Sequence, residues 1–176
     1  MTNNRSGKWL ETYTGKHFFP LDPQPEDFNL TDIAHALSHM GRFNGHSQYH
    51  YSVAQHCCLL HDAIPQYKSH ALFHDASEAY ICDIPSPLKP HLENYKEIEY
   101  KIQSMIYRTF GLSDVEPDLV KEYDRRILLN EKLALFPQSN DDWTHYGPPL
   151  DVVIEPWSHE HAKREYIKRG KLYVEL

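Results

Sequence analysis

The chain has 176 residues, a formal net charge of −7 and 40% hydrophobic residues. That is the size of one ordinary domain, here residues 1–176, and the acidic balance argues against a protein that grips a nucleic-acid polymer by its phosphates. No apolar run approaches the ~20 residues of a membrane span, and Met1-Thr2-Asn3-Asn4-Arg5-Ser6 lacks a signal-peptide core, so a cytoplasmic protein that does not insert in membranes is expected. Three cysteines, two of them adjacent (Cys57 and Cys58), form neither a disulfide framework nor a metal knuckle and read as buried free thiols.

Residues 9–13 and 16–19, joined by Thr14-Gly15, read as a small β-hairpin. A proline-rich arm follows, and Asn29 to Asp32 offer caps for a helix over 33–40 that stops at Gly41. After a Gly-containing loop, Ser52 caps a helix over 53–63, with Val53, Cys57 and Leu60 on one apolar stripe. A central helix is predicted over 69–82, then an amphipathic helix over 95–110 closed by Gly111. Glu116-Pro117 opens a further helix running to Leu135. Residues 140–156 read as loop with a short strand at 152–154, and Ser158 caps a last helix to Arg169-Gly170. The fold class is therefore all-α, a mainly helical bundle, with a small N-terminal β-hairpin.

The central helix carries the chemistry. His74 and Asp75 are neighbours, pointing about 100° apart, and can grip one centre from adjacent sides. Glu78 follows one turn on, Asp83 lies near the helix end, and Pro85-Ser86-Pro87 holds an extended backbone before Lys89. One side of a metal centre needs partners from other helices. His56 sits mid-helix on the preceding segment, and Asp124 sits mid-helix among apolar residues, where a carboxylate is either solvated or paired. Two imidazoles and two carboxylates suit Zn²⁺, Co²⁺, Ni²⁺ or Mn²⁺ and leave coordination positions open for water and substrate. His61-Asp62 is a second His-Asp pair, but it lacks the downstream acids and falls at a helix end before Pro65. His35 and His39 read as packing residues, and His159-Glu160-His161 as a solvated helix start.

The order His56, His74-Asp75, Asp124 resembles that of the HD-domain metal-dependent phosphohydrolases. Glu78, Asp83 and Pro85-Ser86-Pro87-Leu88-Lys89 resemble the extension of the bacterial 5′-deoxynucleotidase branch. Thr12-Tyr13-Thr14-Gly15-Lys16, Phe19-Pro20-Leu21-Asp22-Pro23 and Arg42-Phe43 with Gly45-His46 are similar to small HD hydrolases of phages and prophages, dATP triphosphohydrolases among them. The resemblance runs to about residue 135 and weakens afterwards.

It implies a homo-oligomeric HD bundle in a bacterial or phage-infected cell, cleaving purine deoxynucleotides, dATP foremost and also dADP and dAMP, at the α-phosphorus. The ion of that centre would be joined by Mg²⁺ when the substrate is a triphosphate. Glu78 would protonate the leaving oxygen, and Asp83 would orient water or hold the sugar. Arg42, His46 and Lys89 would contact the substrate, with Arg42 and Lys89 neutralising phosphate oxygens. Phe19 would stack on the base and Leu21 press its edge, the alternative for both being hairpin core packing. Two other readings stand: a general 5′-deoxynucleotidase on monophosphates, and a catalytically silent nucleotide-binding module.

Overall fold

The computed structural model describes residues 5–174; residues 1–4, part of the stretch read as lacking a signal-peptide core, lie outside them. The hairpin forms with strands β1 (Leu10–Glu11) and β2 (His17–Phe18), paired antiparallel with Leu10 opposite Phe18 and Glu11 opposite His17. Gly15, at φ 81°, supplies the left-handed turn residue that a side chain would strain. Asp32 pins this hairpin to the helices, accepting hydrogen bonds from the Thr12 hydroxyl at 2.9 Å and the Thr14 hydroxyl at 2.8 Å.

Asp32 belongs to α1 (Leu30–His39), whose first turn is closed by the Asn29 side chain accepting from the Asp32 amide. Helix α2 (Val53–Ala63) starts where Ser52 accepts from the Gln55 amide, as its sequence predicts. The predicted central helix over 69–82 is interrupted. Helix α3 (Lys68–Phe73) gives way to a tighter stretch before the short α4 (Glu78–Ile81). There the amides of Ala76 and Glu78 bond to the carbonyls three residues back, Phe73 and Asp75, at 3.0 Å each. A tightened turn inside a helix commonly marks a functional site, and this one carries His74 and Asp75.

Helix α5 (Tyr95–Thr109), α6 (Asp118–Leu135) and α7 (His159–Gly170) complete the bundle. Helix α7 comes so close to α1 that a Cβ on Gly170 would lie 2.5 Å from Leu30 Cδ1. Ile33, Leu37, Cys57, Phe73, Ile102 and Tyr166 fill the main core, and the Tyr166 hydroxyl donates to the Leu72 carbonyl at 2.9 Å. Each fully buried aliphatic contributes ~1.5–3 kcal/mol, enough that the core and not local propensity sets the helix positions.

Three further expectations change. The strand at 152–154 does not form, because α6 takes up the backbone beside it: Asn130 donates to the Leu150 carbonyl at 2.9 Å and accepts from the Leu150 amide at 2.8 Å. Cys82 is exposed while Cys57 and Cys58 are buried, since Cys82 ends α4 at φ 70° and turns outward. Pro85 opens a turn instead of an extended run, its carbonyl accepting from the Leu88 amide at 2.8 Å and the Lys89 amide at 3.2 Å. Among the described residues no helix is long and apolar enough to cross a membrane.

Candidate metal centre

His56, mid-way along α2, is fully buried, and its Nε2 meets His74 Nε2, from the tight turn after α3, at 3.3 Å. Two carboxylates close on the same point. Asp75 Oδ2 lies 3.1 Å from His74 Nε2 and 3.8 Å from His56 Nε2. Asp124 Oδ1, from α6, lies 3.1 Å from His56 Nε2 and 3.7 Å from His74 Nε2. Ligand atoms set 2.0–2.2 Å from a shared ion stand about 3.0–3.5 Å from one another, so the shorter separations fit a bound divalent cation and the two at 3.7 and 3.8 Å are slightly wider.

The outer nitrogens strengthen the fit. His74 Nδ1 donates to the Ala71 carbonyl at 2.9 Å, and His56 Nδ1 donates to the Glu131 carboxylate at 2.8 Å. Carbonyls and carboxylates only accept, so each Nδ1 carries a proton and each Nε2 is left facing the carboxylates, where the neutral ring could ligate an ion. Burial lowers both imidazoles, but the carboxylates around them outweigh it and raise both, so the place between the two Nε2 atoms, 3.3 Å apart, attracts positive charge, whether a proton or a metal ion. Asp75 is depressed to about 2: burial pushes the carboxyl up, but the adjoining His74 imidazole outweighs it. Of the four predicted ligands, His56, His74 and Asp75 form one close group, and Asp124 approaches both imidazoles from α6.

Two cavities open on the centre, of about 590 and 670 Å³, and Asp75, Glu78 and Asp124 line both. Arg42 lies in the larger one, its Nη1 3.5 Å from Asp75 Oδ2 and its Nε 3.2 Å from Glu131 Oε1. It follows Gly41 in a tight turn where Phe43 (φ 54°) and Asn44 (φ 51°) take left-handed conformations that cost non-glycine residues energy. His46, Asp83 and Lys89 line the same cavity. The Pro85 turn brings Lys89 Nζ to 2.8 Å from Glu99 and 3.8 Å from Glu78.

Glu78 is buried, and its Oε2 has no hydrogen-bond partner among the described residues. Burial first, then the charges of Asp75 and Asp83, hold its carboxyl well above the ordinary range. Burial likewise raises Asp83, with Asp75 adding to it.

The hairpin residues behave differently. Phe19 is buried beneath the Arg5 guanidinium, 4.5 Å from its ring centre, and Leu21 is exposed. Neither lines either cavity at the centre. Phe19 packs beneath Arg5 within the chain. His61 turns away too: its Nδ1 lies 2.8 Å from Asp62 and its Nε2 2.9 Å from the Tyr173 hydroxyl, a structural pair. His35 stacks on Tyr13 at 3.7 Å, and His39 Nδ1 donates to the His35 carbonyl at 2.8 Å, both packing roles as expected.

Glu131 was not singled out by its sequence, though a signal exists. Val120, Ile127 and Leu135 form the buried stripe of α6, and Asp124 and Glu131 occupy positions of that same stripe. Two acids in an apolar seam at a spacing of seven are a sign of shared work.

The chain is 40% identical over 172 residues to the uncharacterized protein YfdR of Escherichia coli, covering 96% of this chain and 97% of that one. It is 32% identical over 163 residues to an uncharacterized protein of Rhodobacter capsulatus, covering 83% of each. No protein-family model matches the sequence.

Proposed function

The chain belongs to the family of the Escherichia coli protein YfdR, and we propose that it is an HD-domain, metal-dependent phosphohydrolase acting on deoxynucleotides. The reaction is hydrolysis at the α-phosphorus, releasing deoxynucleoside and phosphate, or triphosphate from a nucleoside triphosphate, in the bacterial cytoplasm. One observation supports the reading: two imidazole Nε2 atoms lie 3.3 Å apart, and two carboxylates each reach both of them within 3.1–3.8 Å, beside the cationic Arg42 and Lys89.

His56, His74, Asp75 and Asp124 would hold the ion. When bound, a divalent ion such as Zn²⁺, Co²⁺, Mn²⁺ or Ni²⁺ supplies Lewis-acid polarisation of a phosphate oxygen and acidifies water. Arg42 and Lys89 hold the remaining phosphate oxygens, Arg42 as a planar fork braced by Glu131. Glu78 gives its proton to the nucleoside 5′-oxygen as the phosphorus–oxygen bond breaks, a water oxygen forms the new bond to phosphorus, and the proton that water sheds restores Glu78. Asp83 orients that water.

The resemblance points first to dATP. Phe19 and Leu21, which would favour adenine, line neither cavity, and this favours the general 5′-deoxynucleotidase reading for base choice. The test is a product screen after chelation and reloading with each of the four metals, using all common deoxynucleoside mono- and triphosphates. Deoxynucleoside with phosphate or intact triphosphate is expected. Release of pyrophosphate with a nucleoside monophosphate, or no product with any metal, overturns the proposal.

A further inference from the structure

We infer that the segment following α6 builds the base subsite: Phe136, Trp143 and Tyr146 hold the nucleobase of the substrate by stacking. This rests on the deoxynucleotide reading above. The three rings line the same 670 Å³ cavity as Arg42, Asp75 and Asp124, and all three are half-buried, each leaving ring surface open to that cavity. Phe136 packs its ring edge-on to Phe43 at 5.1 Å, and Trp143 lies 5.6 Å from Tyr146. Large aromatic faces left partly wet beside a phosphate-binding centre gain by covering themselves with a planar, apolar group, and a nucleobase is one.

The segment is not a loose flap. Arg126 of α6 donates to the Pro148 carbonyl at 3.0 Å, and Asn130 of α6 takes both backbone groups of Leu150. Lys132 Nζ sits 5.5 Å from the Phe136 ring centre and 5.6 Å from that of Trp143. The helix that delivers Asp124 to the metal centre therefore also fixes the aromatic wall, so the distance from base to phosphorus is set by one rigid element. Every base offers a π-face, so stacking on such a wall accepts purines and pyrimidines alike.

The test uses the metal-loaded full chain with dAMP, dTMP and deoxyribose 5-phosphate, which keeps the phosphate and sugar and lacks the base. Trp143→Ala is expected to raise KM for both nucleotides by about 5- to 100-fold and to leave that for deoxyribose 5-phosphate unchanged. Tyr146→Ala, closer to the segment's edge, should do the same more weakly. A second readout needs no turnover: with Trp9→Phe and Trp157→Phe in place, Trp143 fluorescence should quench saturably with dAMP and dTMP and not with deoxyribose 5-phosphate.

Equal changes for all three compounds, or a base-dependent loss on Phe19→Ala or Leu21→Ala and none on Trp143→Ala, overturns the subsite and leaves the hydrolase reading standing. Base-dependent quenching in a protein that hydrolyses no nucleotide does the reverse.

Discussion

Glu131 Oε1 lies 2.8 Å from His56 Nδ1, and the same carboxylate meets Arg42 at 3.2 Å, so one fully buried acid braces both an imidazole of the candidate metal centre and the guanidinium beside it. Its negative charge is matched from both sides, which is why a carboxylate survives at zero exposure. Burial opposes its charge, and Arg42 and then His56 pull it below the ordinary carboxylate range.

Replacing that acid by its amide should therefore loosen the centre without unfolding it. In Glu131→Gln the side chain can offer N–H to His56 Nδ1, which shifts the imidazole proton onto Nε2 and blocks its lone pair. Metal affinity is expected to fall by about 10- to 100-fold, the usual cost of losing such an outer partner. Titration of the chelated protein with Zn²⁺ or Co²⁺ reads this directly, and an unchanged affinity would show that Glu131 serves only Arg42.

His56→Ala, His74→Ala, Asp75→Ala and Asp124→Ala should each abolish metal loading and hydrolysis. His61→Ala should retain both while losing stability of about 1–3 kcal/mol, because Asp62 and the Tyr173 hydroxyl each lose a partner. Elemental analysis of the five purified variants separates the two outcomes. Full metal content in the Asp124 variant would remove that residue from the centre.

Much of this arrangement was legible in the chain. Caps such as Asn29, Ser52 and Ser158 and the apolar stripes of α2, α5 and α6 are local signals, and each helix starts within a few residues of its cap. His56, His74, Asp75 and Asp124 could be grouped because each falls in a stretch whose apolar pattern reads as helix. What escaped was decided by packing across the chain. The break at residues 74–77 has no glycine or proline to announce it, and the tightening is visible only in its hydrogen bonds. Glu131 reads as one acid among many until its seam is known to face inward. Phe19 and Leu21 belong to a motif legible in the sequence, but only the fold shows that they line neither cavity at the centre.

Glu78→Gln should keep metal and substrate binding and lose turnover by about 10²- to 10⁴-fold, the contribution of a positioned proton donor. The amide matches the shape of the acid, so the ion contact to Lys89 at 3.8 Å is the main structural loss. Steady-state kinetics should show a fall in kcat with KM nearly unchanged. An unaltered kcat would transfer the proton donation to Asp83 or to water.

The pair His61–Asp62 gives the fold a pH dependence of fixed sign, at a site away from the metal ligands. His61 is lowered below its ordinary 6.5 because burial outweighs the pull of Asp62, and Lys68 and Arg169 add to the lowering. Asp62 is lowered below 3.8, since hydrogen bonds from Arg169 and His61 outweigh its burial. For both groups the unfolded chain binds a proton more readily than the folded one, so stability is full above the unfolded pKa and falls as pH falls. For His61 the loss begins near pH 6.5, and for Asp62 only below about pH 4, which separates the two. Between pH 7.5 and 5 the melting temperature of the chelated wild type should therefore drop more steeply than that of His61→Asn, which cannot titrate, while all other histidines contribute equally to both. Parallel curves would mean that His61 takes up its proton in the folded chain at no cost, keeping its bond to Asp62 and now donating from Nε2 to the Tyr173 hydroxyl.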